Sequence, residues 1–266
     1  MIHKFASKEI HFLKTESDEH PIQPPETFFS DLVHDQTLQV KTMNTRLASA
    51  DIPGDAFICA VVQISASSSG KTRERAKDIF EACFHSVLDK ERGIWESLDD
   101  TSFMLIFWDY AQEENGFRLV SLLKEKISAA LKADILMGVA TFPFHTFEQS
   151  AVPANALKAI DHAAFFGPNH MMYFDAVSLN ISGDRLYQLN HYNRAIQEYK
   201  QGLEIAPKNI NLINSLGVCY GVIGEIDQAK KEFDKAIAIN PREVMVIYNI
   251  GLVHRINEDE DKAVIY

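Results

Sequence analysis

The chain has 266 residues, with 26 Lys+Arg against 37 Asp+Glu and a formal net charge of −11. That length accommodates one or two domains, and 46% hydrophobic with 24% charged residues speak against wholesale disorder. The acid excess, with no Lys/Arg block to offset it locally, speaks against a phosphate backbone, so no nucleic-acid partner is expected.

Residues 1–50 read as a leader or linker. The opening MIHKFASKEIHFLKTESDEH lacks the apolar stretch and cleavage site of a signal peptide. Pro21, Pro24 and Pro25 interrupt it, and Glu26–Leu47 then has amphipathic helical spacing through Phe28, Leu32, Leu38 and Val40. Such a helix either links an input module or packs on the domain that follows.

A second rhythm runs over residues 51–175. Phe57–Ser65 is an apolar run bounded by Pro53-Gly54 and by Ser67–Gly70, which predicts a buried strand. Glu74–Leu88 has helical apolar spacing at Ala76, Ile79, Phe80, Cys83 and Val87. Ile94–Leu98 and Ser102–Asp109 predict a hairpin, Leu119–Leu131 a helix, and Ile135–Phe142 a strand. Ala154–Phe166 predicts a further helix and Met171–Phe174 a last strand. The order, βαββαβαβ, implies an α+β domain with a mainly antiparallel sheet.

Beyond Phe174 the chain repeats itself. Pro207 and Pro241 stand 34 residues apart, as do Gly183, Gly217 and Gly251, and likewise Ala195, Ala229 and Ala263. Tyr199 pairs in the same way with Phe233, and Leu216 with Ile250. Small residues at fixed positions let paired helices approach closely, and each proline stops a second helix. This segment resembles the tetratricopeptide repeat (TPR), with units at 176–209, 210–243 and an incomplete 244–266. The third unit lacks a polar capping helix, so the array is expected to continue beyond Tyr266.

The TPR resemblance implies an all-α solenoid whose first helices line a groove for a protein or peptide segment. Its groove positions fall on Asn180, Asp184, Tyr187 and Gln188, then on Asn211, Asn214, Val218 and Val222. The third unit supplies Met245, Tyr248, Leu252 and Arg255. Only scattered Asn residues stand where a carboxylate clamp would place Lys, Arg and Asn. An extended or helical partner making mixed apolar and amide contacts is therefore expected.

In the first domain, Trp95–Phe107 (WESLDDTSFMLIF), Ile135–Pro143 (ILMGVATFP) and Leu157–Phe174 resemble the GGDEF family of diguanylate cyclases, with a nucleotide-cyclase-like palm. Asp161, Ala163, Ala164, Gly167 and Asn169 match its closing stretch. The family motif falls on Asp99, Asp100, Thr101, Ser102 and Phe103. The resemblance implies glycines at the first two positions, to admit the GTP phosphates, and a metal-binding acidic pair next. Here two aspartates bring negative charge, Thr101 and Ser102 replace the acids, and Gln63 and Ser65 stand where the first strand should end in a metal aspartate. Two-metal phosphoryl transfer has no carboxylates left at those positions, so the palm is expected to be catalytically inactive.

Other chemistries are weaker. Ser65–Thr72 approximates a phosphate loop, with Gly70, Lys71 and Thr72 as an anion-binding turn. A P-loop domain needs parallel strands, whereas a hairpin follows here. Cys59, Cys83 and Cys219 sit singly in apolar runs, and the ten histidines show no ligand spacing, so no metal or cofactor is expected. No run approaches the roughly 18 apolar residues of a membrane span, and a cytoplasmic location without membrane contact is expected. The functional expectation is a non-catalytic signalling adaptor that binds partners through its repeats. The alternatives are a nucleotide or cyclic-dinucleotide sensor whose palm binds without catalysis, and an enzyme of unrecognised chemistry.

Overall fold

The computed structural model describes residues 28–34, 38–49, 56–65, 70–88, 91–108 and 113–257. The chain divides between Phe174 and Asp175 into two compact units, one of them spanning Ile22–Phe174. Within that unit the order is α1 (Asp31–His34), α2 (Leu38–Ser49), β1 (Phe57–Ile64), α3 (Gly70–Val87), β2 (Gly93–Ser97) and β3 (Ser102–Trp108). It continues with α4 (Glu113–Leu131), β4 (Ile135–Phe142), a short 3-10 turn at Gln149–Ala151, α5 (Val152–Ala164) and β5 (Met171–Tyr173).

The five strands form one mixed sheet in the order β2-β3-β1-β4-β5. β1 pairs antiparallel with both β3 (Val61 opposite Met104) and β4 (Val61 opposite Gly138). Only β4 and β5 run parallel. β1 and β3 are rich in β-branched and aromatic residues and buried on both faces, so each face needs its own cover. On one face Ile58, Ala60, Val62, Phe103, Leu105 and Phe107 join Ala76, Phe80 and Phe84 of α3 and Val120, Leu123 and Ile127 of α4. Phe80 stacks on Phe103, ring centroids 4.3 Å apart. The alternate residues, among them Phe57, Cys59, Val61, Met104 and Ile106, are buried on the other side. There α5 packs on β4 and β1, with α2 against α5.

Residues 28–34 and 38–49 lie in the same compact unit as the sheet. Met43 of α2 is fully buried, and Arg46 donates to the Trp95 carbonyl at 2.8 Å and pairs with Glu96. Of the helix expected over Glu26–Leu47, Asp31–His34 and Leu38–Leu47 are helical and residues 28–30 are not, while residues 26, 27 and 35–37 lie outside the described part. Other predicted elements shift by a few residues at their ends. The largest extensions are at α3, which begins at Gly70, and α4, which begins at Glu113.

The second unit contains α6 (Ala176–Gln188), α7 (Tyr192–Ile205), α8 (Ile210–Val222), α9 (Ile226–Ile239) and α10 (Val244–Ile256). Asp175 caps α6 by accepting the Ser178 N–H at 2.8 Å, and Asn209 caps α8 by accepting the Leu212 N–H at 3.1 Å. The repeat period has a direct steric cause. A Cβ added at Gly183 would lie 2.4 Å from the Tyr199 ring, and one at Gly217 2.5 Å from the Phe233 ring. Asn190 and Gly224, also 34 apart, both take the left-handed conformation that turns the first helix into the second. Residues 258–266, and Ala263 with them, lie outside the described part.

Candidate functional site

The palm hairpin carries the residues at the cyclase-motif positions, and its geometry gives them structural work. The Asp99 side chain accepts the Thr101 N–H at 2.7 Å and the Thr101 hydroxyl at 3.0 Å, forming an Asx-type turn. Ser97 donates its hydroxyl to the Asp99 carbonyl at 2.6 Å, and the Leu98 N–H bonds the Ser102 carbonyl at 2.8 Å. Asp99 and Asp100 are exposed, Thr101 and Ser102 are buried, and Phe103 is wholly inside the aromatic core. Gln63 sits opposite Ser102, so the end of β1 and the hairpin do meet at one end of the sheet. The Ser102 hydroxyl is buried and has no hydrogen-bond partner among the described residues. Among the described residues no group of three or more His, Cys, Asp or Glu is arranged to hold a metal ion. Asp99→Ala should lower palm stability by about 1 kcal/mol in denaturant melts followed by Trp fluorescence, because it removes the turn acceptor. Asp100→Ala should shift it by less than about 0.5 kcal/mol.

Gly70, Lys71 and Thr72 form the first turn of α3. Residues 66–69 and the Lys71 and Thr72 side chains lie outside the described part, as does Asp109. Both neighbours of β1 are antiparallel, and a P-loop sheet requires parallel ones.

Asp161 matters more to the palm than its sequence position suggested. It lies on α5, 1% exposed, and accepts the Phe29 N–H at 2.6 Å and the Ser30 N–H at 2.9 Å. The one available signal was a lone acid on a helix otherwise buried through Ala156, Leu157, Ile160 and Ala163.

In the helical unit, the first helices α6, α8 and α10 pack in succession, α6 on α8 and α8 on α10. Gln188, Asn211, Val222, Tyr248 and Arg255 are exposed there, and Asn180, Asp184, Tyr187 and Met245 are half-buried. Asn214, Val218 and Leu252, expected at groove positions, are buried. Asn214 accepts the Asn249 side-chain amide at 2.9 Å, which ties α8 to α10. Val218 joins the cluster of Ile213, Phe233, Val246 and Ile250. Leu252, on α10, is 6% exposed. Asp184 is also committed: one oxygen accepts the Tyr199 hydroxyl at 2.7 Å and the other the Asn180 amide at 3.2 Å. Burial, and then the adjacent Asp184 charge, push the Tyr199 phenol far above its usual range, so it stays a donor.

Against known families, residues 183–221 match the TPR repeat and residues 210–243 match the tetratricopeptide repeat. Residues 183–243 are tetratricopeptide repeats. Sperm-associated antigen 1 from Rattus norvegicus is 28% identical to this chain over 78 residues, or 29% of it. That match spans 9% of the relative's length. Among solved structures, the second TPR of Spaghetti bound to an HSP90 peptide is 21% identical, covering 34% of this chain and 84% of its own, at a TM-score of 0.33. An EAL/GGDEF domain protein from M. capsulatus is 14% identical, covering 50% of this chain and 94% of its own, at a TM-score of 0.42. The GGDEF domain of TpbB from Pseudomonas aeruginosa is 12% identical, covering 56% and 91%, at a TM-score of 0.40. The TPR assignment explains the helical unit's 34-residue spacing, its glycine–aromatic contacts and its two equivalent left-handed turns. No helix among the described residues is long and apolar enough to cross a membrane.

Proposed function

We propose that this protein is a protein-interaction adaptor that holds a peptide or protein segment along α6, α8 and α10, in a chain that also carries a GGDEF-like palm without cyclase activity. The observation that carries this reading is the pair of in-register TPR units over 183–243, a fold that offers its first-helix surface to partner segments. Two TPRs of Spaghetti bound to an HSP90 peptide lend support by analogy of fold class. The partner differs in chemistry from an acidic terminus: α8, at the centre of the surface, has no Lys, Arg, Asp or Glu in Ile210–Val222. Contacts to neutral, partly apolar segments suit Val222 and Tyr248.

The palm's reading as a cyclase relative is supported by its βαββαβαβ order and the antiparallel neighbours of β1. Its inactivity is supported by the structural commitment of Asp99 and the core position of Phe103. The test is affinity capture with the full chain against the Tyr248→Ala and Arg255→Glu variants. Both side chains are exposed, so helicity by circular dichroism should be unchanged while partner recovery falls by about tenfold, as for aromatic and Arg hot spots. Recovery equal to wild type for both variants would sink the groove reading. Asp184 is unsuitable for this purpose, since its loss strands the buried Tyr199 hydroxyl.

A further inference from the structure

The two edges of the palm sheet are guarded differently. At the β2 edge, the Trp108 N–H bonds the Arg92 carbonyl at 3.0 Å and the Leu98 N–H bonds the Ser102 carbonyl at 2.8 Å. With the β2–β3 register, those bonds turn Trp95 so that its backbone groups face outward. Arg46 of α2 donates to that outward carbonyl at 2.8 Å. At the β5 edge, the Met137 N–H bonds the His170 carbonyl at 3.0 Å and the Phe174 N–H bonds the Val139 carbonyl at 2.7 Å. His170, Met172 and Phe174 therefore face β4, and the N–H and C=O groups of Met171 and Tyr173 point away from the sheet. Those outward groups have no partner among the described residues. Tyr173 is 37% exposed, and Met171 and Met172 are half-buried.

An open edge pairs with an extended chain unless charge, proline or a bulge prevents it. Met171, Met172 and Tyr173 supply none of these, and the guard on β5 is its length of three residues. We propose that β5 is a homotypic docking edge: β5 of one copy pairs antiparallel with β5 of a second copy about a two-fold axis, joining two five-stranded sheets into one. The pairing rests on the palm geometry and is independent of the reading given to the repeats.

A second copy suits this edge in backbone and in side chains. Two-fold symmetry places Met172 opposite Met172 of the second copy, and Met171 opposite Tyr173 of the second copy. The outward groups then fall into hydrogen-bonded pairs, Met171 with Tyr173, each exchanging two N–H···O bonds. On the same face a flexible thioether meets a tyrosine ring, a favourable cross-strand contact. None of the three side chains is charged, so the pairing sets no like charges against each other in a chain of net charge −11. A three-residue ladder is small for an interface, so the association is weak and follows protein concentration.

Hydrogen exchange of the full wild-type chain reads the edge at the Met171 and Tyr173 amides, with the β1 amides as a folding control. Between about 1 μM and about 200 μM protein, the two edge amides should gain roughly tenfold protection while β1 stays unchanged, and sedimentation should move from monomer towards dimer. Met172→Cys should cross-link two copies under a mild oxidant, because a non-hydrogen-bonded antiparallel pair holds its Cα atoms about 4.5 Å apart. Tyr173→Cys sets the two cysteine Cα atoms about 8 Å apart, beyond disulfide reach, and should cross-link roughly tenfold less. The proposal is overturned if the Met171 and Tyr173 amides exchange freely at every concentration, whether the chain stays monomeric or associates elsewhere. Equal cross-linking of the two cysteine variants would also overturn it, because the strands would then not meet in this register. The wild-type exchange measurement decides the matter even where a cysteine variant misfolds.

Discussion

Gly138→Val should strongly destabilise the palm. β4 and α5 touch backbone to backbone at this residue: an added Cβ would stand 2.1 Å from the Ile160 nitrogen, 2.4 Å from the Ala156 oxygen and 2.7 Å from the Ile160 Cα. None of these atoms can rotate away as a side chain would, so α5 must lift from the sheet. Lifting it exposes Ala156, Leu157 and Ile160 and removes the seat of Asp161. The expected loss is about 3 kcal/mol or more, at or beyond the usual range for overpacking. Both tryptophans, Trp95 and Trp108, belong to the palm sheet, so their fluorescence isolates this transition from the helical unit. A denaturation midpoint equal to wild type would contradict the close approach of α5 to β4.

Phe233→Ala has the largest expected effect in the repeats. Phe233 is fully buried, its ring lies over Gly217, and it packs with Val218, Val246 and Ile250. Truncation leaves a cavity between α8 and α9 that their backbones cannot close, at a cost of about 3–5 kcal/mol. Because each repeat is stabilised largely by its neighbours, the loss should spread along the array. Far-UV circular dichroism should therefore show helix melting at lower denaturant, with the palm's Trp signal held at its wild-type midpoint. A coincident shift of both signals would mean that the two units unfold as one.

The sequence was most informative where a local pattern repeats. The 34-residue period predicted α6 to α10 because close helix approach demands glycine opposite an aromatic ring, and such demands leave a mark at fixed spacing. The strands β1, β3 and β4 were equally plain as uninterrupted apolar runs. The groove residues were harder. Asn214 and Val218 occupy expected groove positions, yet Asn214 bonds across to Asn249 and Val218 packs with Ile213, Phe233 and Val246; Leu252 is buried as well. Periodicity gives a residue's angle around its helix and does not give how far the next helix covers it.

Acidic residues show the same division. Asp99 and Asp100 read alike, as two negative charges on a hairpin, but one oxygen of Asp99 closes the turn through Thr101 while Asp100 is simply exposed. Asp161 read as one matched letter in a family stretch, and its partners proved to be backbone N–H groups at Phe29 and Ser30. A backbone donor has no residue type, so no sequence pattern can announce it.

The 266 residues and their order were enough to determine two kinds of architecture, a βαββαβαβ sheet domain followed by tetratricopeptide repeats, because hydrophobic period and turn chemistry are local. Only the tertiary structure decided that residues 28–34 and 38–49 join the sheet domain, that Asn214, Val218 and Leu252 are buried, and that Asp161 holds the backbone at Phe29 and Ser30. Each of those outcomes depends on which distant surfaces meet, and on whether a polar group finds its partner once water is excluded.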